Sequence, residues 1–231
     1  MSKPVAEAVL VQNFQIDFPP VTLFEDFPHN KIDVVELGPQ QSLFRSHNYQ
    51  YPWLFFDDSD RGRFNGFIPG NVPAAIRGYI LKAFGGCYVS NSSEGAISES
   101  IFRNIHQNED KFIERSLLSS RRMTEIFIPD GVCLKLVDVT SAKTRTQLGI
   151  DTQIFSTPDY DTCFVWAHLF RLMGYDGIKY KGRNLEYDCY VLFTNDEIEE
   201  DFGDSVGLLD SEYLLPIVER IAEGLGVHVE Q

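Results

Sequence analysis

Strands and helices that intermix without a regular strand–helix–strand alternation predict an α+β fold, a mixed β core flanked by helices. Three observations carry this reading. Of the 231 residues, 43% are hydrophobic, enough to bury a sizeable core and too many for a disordered chain. No GxGxxG follows a strand-like run, so a doubly wound dinucleotide-binding sheet is not indicated. Neither a GxxxxGK(S/T) loop nor an internal repeat is present.

The elements follow in order. Residues 1–30 are rich in Pro, Phe and Val without a clean period and are expected to lie on the domain as an extended arm. One domain is expected throughout: an N-terminal segment 1–39, a core 40–195, and an acidic loop with a C-terminal helix over 196–231. β-rich runs at 32–37 and 42–45 predict strands. Residues 57–62 and 69–73 predict turns. Residues 74–84 read as a helix closed by Gly85 and Gly86, and 87–90 as a short strand. Ser92 or Ser93 is placed to cap a helix over 94–106, where Ala96, Ile97, Ile101, Phe102 and Ile105 keep helical spacing. A charged, exposed helix is expected over 108–122. Residues 125–139 predict two strands around a Pro129-Asp130-Gly131 turn. A helix over 160–173 stops at Gly174, and 189–193 is a buried strand. An acidic loop covers 195–204. The last helix, 210–224, presents Leu214, Leu215, Val218, Ile221 and Leu225 on one side.

Charge excludes several function classes. At a formal −14, the surface repels phosphodiester backbones and anionic membranes, so neither direct nucleic-acid binding nor membrane docking is expected. A few local cations still suffice to hold a small anionic ligand. No segment has the length and apolarity of a membrane span, and the first residues lack a convincing leader, so a cytoplasmic location is expected. Cys87, Cys133, Cys163 and Cys189 form no CxxC pair. They read as reduced thiols, with no metal site.

Three local clusters remain as candidates for chemistry. The first is Phe44-Arg45, an arginine in a strand-like run. The second is Gly62-Arg63-Phe64-Asn65-Gly66. The third is Cys87-Tyr88-Val89-Ser90 followed by Ala96-Ile97-Ser98-Glu99. Arginine offers a permanently charged planar fork that matches pyrophosphate oxygens. Tyrosine offers a flat face for a base or nicotinamide ring, plus a hydroxyl. Glutamate can stabilise cationic charge at a ribosyl carbon. Glu99 lies in a row with apolar Ala96, Ile97, Ile101 and Phe102, so it is not placed simply for solubility.

The order of these clusters resembles the RES domain, whose members show an early arginine, a GGRWN-like segment, a LYLA-like strand and a helix with a glutamate. Further matches are Leu136-Val137-Asp138-Val139-Thr140, Leu148-Gly149, the Gly174–Ile178 turn and Val191-Leu192-Phe193. The resemblance spans roughly residues 40–195. Two departures stand out. Between Asn65 and Tyr88 the chain carries extra residues, expected either as a lid or as a shift of Arg63 out of register. Gly182, in Tyr180-Lys181-Gly182-Arg183, stands where the family has serine.

The resemblance implies an ADP-ribosyltransferase-like fold and a toxin-like enzyme that consumes NAD as a substrate, with no cofactor. The implied reactions are hydrolysis or phosphorolysis of the nicotinamide–ribose bond, or ADP-ribosylation of a protein. A non-catalytic interaction module is the alternative of another class. On this analogy Glu99 and Tyr88 are catalytic, and Arg45, Arg63, Asn65, Tyr88, Gly182 and Arg183 bind NAD, Gly182 through its backbone N–H. The implied partner is an antitoxin or immunity protein of the Xre helix-turn-helix type.

Overall fold

The computed structural model describes residues 17–80, 82–105, 110–155, 157, 160–184, 187–194 and 202–230. An eight-stranded mixed sheet organises them. Its strands are β1 (Val34–Leu37), β2 (Ser42–Asn48), β3 (Gly86–Ser90), β5 (Arg121–Phe127), β6 (Leu134–Asp138), β7 (Gly177–Lys181), β8 (Asp188–Phe193) and β9 (Gly203–Leu208). They lie in the order β1-β6-β7-β8-β3-β2-β5-β9, and only the β6–β7 pair is parallel. A short β4 (Phe112–Ile113) pairs in parallel with β10 (His228–Val229). The α+β expectation is met by this large mixed sheet flanked by helices.

Alternation along the strands divides the side chains between two layers. On one face lie two apolar clusters. The first packs Val137, Ile178, Tyr180, Val191 and Phe193 against α6 (Asp161–Leu172). The second packs Met123 against α3 (Ser93–Ile97), the segment after it, and α7 (Leu215–Leu225). The opposite face carries Leu43, Cys87, Val89, Leu136, Tyr190 and Leu192 beneath Trp53. The central strands β8, β3 and β2 run under the junction of the two helical clusters, which leaves a cleft there.

Helix α6 is buried from Thr162 to Phe170, as a helix covered on all sides must be. Part of its cover is α1 (Val21–Glu25), with Leu23 and Phe24 buried. The expected arm from 17 onward is therefore packed and partly helical. Its first 16 residues lie outside the described residues. The rest of the cover is the extra connection before β3. Only Ala74–Arg77, α2, is helical there, in place of the expected 74–84. Ile76, Ile80 and Phe84 are spaced like a helix face, but Phe84 instead bridges back to Gly66. All three are buried in the core with α6, so the connection is a packed layer and not a lid.

Other expectations shift. The exposed helix over 108–122 is replaced by β4, a five-residue α4 (Arg115–Ser119) and the start of β5, with 106–109 outside the described residues. The two strands around Pro129-Asp130-Gly131 exist as β5 and β6 but do not pair with each other. β5 joins β2 and β9, and β6 joins β1 and β7. Part of the expected 195–204 loop, 195–201, lies outside the described residues, and the remainder enters β9. The expected stops and caps are present: Gly174 at φ +85° follows α6, and the Ser92 side chain accepts the Gly95 N–H at 3.1 Å to cap α3.

Candidate functional site

The cleft is small in this structure, about 50 Å3, well below the range of small-molecule sites. Its lining includes Ser46 of β2, Tyr88 of β3, Tyr180 of β7, and Glu99, Ser100 and Arg103 from the segment after α3. That segment, Ser98–Phe102, is a π-helical stretch. A wider turn, one residue longer than an α-helical one, lets Glu99, Ser100 and Arg103 all reach the cleft while Ile101 and Phe102 stay buried.

Glu99 is held at both carboxylate oxygens. The Tyr180 hydroxyl donates to Oε2 at 3.1 Å, and the Arg183 backbone N–H donates to Oε1 at 3.1 Å. Tyr180 is fully buried, and burial followed by the nearby Glu99 charge pushes its phenol pKa well above the usual value. It therefore stays protonated and keeps donating. The carboxylate is thus aimed by two donors from the β7–β8 hairpin.

Tyr88 is fixed with equal care. Its hydroxyl donates to Asn65 Oδ1 at 3.0 Å and accepts the Phe64 N–H at 2.8 Å. Burial is the main cause of a strongly raised phenol pKa, so this hydroxyl stays protonated at neutral pH. The Tyr88 ring lines the cleft edge-on to Tyr180 at 6.4 Å. Asn65, expected at NAD, is fully buried in this structure: its side-chain N–H donates to the Ser59 carbonyl at 2.9 Å and its oxygen accepts the Tyr88 hydroxyl. The 61–66 turn needs its glycines: a Cβ on Gly62 would stand 2.4 Å from Asn65 Oδ1, and one on Gly66 2.1 Å from the Phe84 ring.

Arg63 sits beside this wall. It is 2% exposed, its guanidinium carbon lies 5.7 Å from the Tyr160 ring centroid, and Nε, Nη1 and Nη2 have no hydrogen-bond partner among the described residues. Buried guanidinium nitrogens are normally paired, so the arrangement suits an anion.

Arg183, expected at NAD, braces its surroundings in this structure. Its Nη1 donates to Asn104 Oδ1 at 3.2 Å and its Nη2 to the Thr157 carbonyl at 3.0 Å and the Tyr160 hydroxyl at 3.4 Å. Gly182 does not offer a free N–H either, since that group donates to the Tyr187 carbonyl at 3.1 Å inside the hairpin. Arg45 departs furthest. Alternation in β2 puts it on the face of Leu43, where Nη1 donates to the Trp53 carbonyl and to Cys87 Sγ. It is separated from the cleft by the sheet itself.

The structure therefore lines the cleft with Glu99 and Tyr88, brings the Arg183 backbone onto Glu99, keeps Arg63 buried behind the wall, and leaves Arg45 out. Sequence reasoning missed Ser46, Tyr180 and Arg103. The spacing of Arg103, four residues after Glu99, is a readable signal for a shared face. The Ser46 Oγ is buried at the cleft wall, with no hydrogen-bond partner among the described residues. Among the described residues no group of three or more His, Cys, Asp or Glu is placed to hold a metal, and no helix is long and apolar enough to cross a membrane.

Comparison with known proteins bears on this arrangement. No curated protein sequence matches the chain. Among solved structures, a chain in the crystal structure of the M. tuberculosis MbcT-MbcA toxin-antitoxin complex superposes with a TM-score of 0.57 at 13% identity, covering 88% of this chain and 96% of that one. The likeness is one of fold. A family model described as the RES domain matches residues 42–206, from β2 into β9. With so much of its length matched, the chain belongs to the RES domain family.

Proposed function

We propose that this chain is a toxin-like enzyme that cleaves the nicotinamide–ribose bond of NAD, consuming NAD as a substrate. The observation that carries the reading is the Glu99 carboxylate, fixed at the cleft wall by the Tyr180 hydroxyl and the Arg183 N–H beside the Tyr88 ring. In the reaction the C–N bond breaks and its electron pair leaves with the nicotinamide nitrogen, which becomes neutral. Positive charge moves to the ribosyl carbon, where an anchored carboxylate stabilises it without reorganising. An acceptor oxygen then bonds to that carbon and gives up its proton. Tyr88 supplies a flat apolar face for the ring, and Arg63 supplies charge for the phosphates. Water, phosphate or a protein side chain is the acceptor, so hydrolysis, phosphorolysis and protein ADP-ribosylation share this first step.

The MbcT-MbcA structure is titled a toxin–antitoxin complex. By analogy we propose an antitoxin or immunity partner for this chain, of the Xre helix-turn-helix type that the family resemblance suggests, and a cytoplasmic place of action. One observation favours a second reading, a non-catalytic interaction module: Gly182 replaces the family serine and its N–H is used within the hairpin. Incubating the purified protein with NAD and following free nicotinamide separates the two. Release of nicotinamide supports the enzyme. Intact NAD after prolonged incubation with folded protein, with and without added phosphate, supports the module.

A further inference from the structure

Of the two arginines that motif order assigns to phosphate, Arg45 does not reach the cleft. Arg45 lies in the opposite layer, held by the Trp53 carbonyl and the Cys87 sulfur. Two other guanidinium groups lie nearby. One is Arg63, buried behind the cleft wall, its three nitrogens without a hydrogen-bond partner among the described residues. The other is Arg103, which the π-helical stretch turns toward the cleft together with Glu99. Arg103 Nη2 donates to the Arg61 carbonyl at 3.0 Å. That bond draws Arg103 to the turn that carries Arg63 and fixes the guanidinium at the wall of the cleft.

We infer that Arg63 and Arg103, and not Arg45, form the anion-holding pair of this cleft, and that the anion is the diphosphate bridge of a nucleotide. This deepens the reading above by exchanging one of its expected contacts, and it rests on that reading for the ligand class. Electrostatics agree with the placement. The main cause of the raised Tyr88 pKa is burial, opposed by the Phe64 N–H and then by Arg103 and Arg63. The Arg183 guanidinium is destabilised first by burial and then by Arg63, with Arg103 contributing as well. Arg103 itself is offset by the nearby Glu99, while Arg63 has no such counter-charge, and a doubly charged anion would supply one.

Titration calorimetry with ADP-ribose and with inorganic pyrophosphate tests the inference without requiring any turnover. Wild-type protein is expected to bind ADP-ribose. Arg103→Gln is expected to weaken that binding about tenfold or more, as loss of a charge-assisted contact should. Arg103→Lys, which keeps the charge but not the fork, should fall between the two. Pyrophosphate should compete with ADP-ribose on the wild type and not on Arg103→Gln. Arg45→Gln, if its melting curve is native-like, should bind ADP-ribose within about twofold of wild type, and if it does not fold the Arg103 variants decide alone. Wild-type affinity in a folded Arg103→Gln overturns the inference, as does loss of ADP-ribose binding in a folded Arg45→Gln. A wild-type protein that binds neither probe overturns it too. Binding of ADP-ribose by a wild type that leaves NAD intact upholds the inference and removes only the catalytic reading.

Discussion

Replacing Arg63 by Met is expected to raise the melting temperature of the ligand-free protein and to abolish its stabilisation by ligand. Three guanidinium nitrogens of Arg63 are buried without a partner among the described residues. Exchanging a buried charged group for an apolar side chain of similar volume is worth about 1–4 kcal/mol. The contact with the Tyr160 ring is lost, which offsets about 0.5–2 kcal/mol. The balance favours the variant by about 1 kcal/mol. In a chain of this size that corresponds to a rise of about 2–4 °C. Ligand reverses the order. With ADP-ribose at about 100 times its Kd, the wild type gains about 2.7 kcal/mol while the variant gains little. Differential scanning calorimetry with and without ADP-ribose reads both effects. A variant that melts below wild type in the absence of ligand, or that ADP-ribose stabilises as much as wild type, refutes the reasoning.

Two further perturbations test the supports of the site and of the fold. Tyr180→Phe removes the donor to Glu99 Oε2 and should lower kcat about 10- to 100-fold with KM nearly unchanged, the worth of a hydrogen bond to a charged group. Steady-state kinetics with an unchanged kcat would contradict the positioning role. His47 and His168 set an acid limit on stability. His47 Nδ1 donates to the Asn48 and Tyr51 carbonyls at 3.1 Å, His168 Nε2 lies 3.2 Å from the Phe67 carbonyl, and burial lowers both pKa values below 6.5. Because the unfolded chain takes up these protons first, their contribution is complete above about pH 6.5 and is lost as pH falls below it. Denaturant midpoints should therefore fall between about pH 7.5 and pH 5.5, and His47→Gln should flatten that dependence. Equal slopes in wild type and variant would remove His47 from the account.

Local signals in the sequence found the elements that local physics decides. The Ser92 cap, the Gly174 stop after α6 and the apolar run in β8 depend on neighbours in the chain. The pairing of β5 and β6 does not. A Pro-Asp-Gly turn suggests a hairpin, yet both strands find their partners across the sheet, because burial of the whole layer outweighs one turn. The 74–84 connection misled by spacing: Ile76, Ile80 and Phe84 sit four apart, but their burial comes from α6 and from the bridge of Phe84 to Gly66. β9, of sequence Gly203–Leu208, has little β propensity and forms as an edge on β5. In the site, Glu99 and Tyr88 were legible from residue type and placement. Asn65, expected at the ligand, has its polar groups engaged within the turn and on Tyr88, a fact no local signal carries. The orientation of Arg45 was latent in β2, where Leu43, Arg45 and His47 alternate with Phe44 and Ser46. Which of those two faces carries the cleft depends on where α3 and α6 pack, and that is a long-range fact.

The central claim is that the charge of Glu99 stabilises a cationic ribosyl carbon, and Glu99→Gln tests it most directly. The amide keeps the size and one acceptor oxygen for the Tyr180 hydroxyl and removes the negative charge. The loss therefore falls on the transition state more than on the bound substrate. Measured side by side on wild type and variant, nicotinamide release from NAD should fall on the order of 100-fold or more, while the Kd for NAD changes by no more than about threefold. A folded Glu99→Gln protein that releases nicotinamide at close to the wild-type rate would contradict the account.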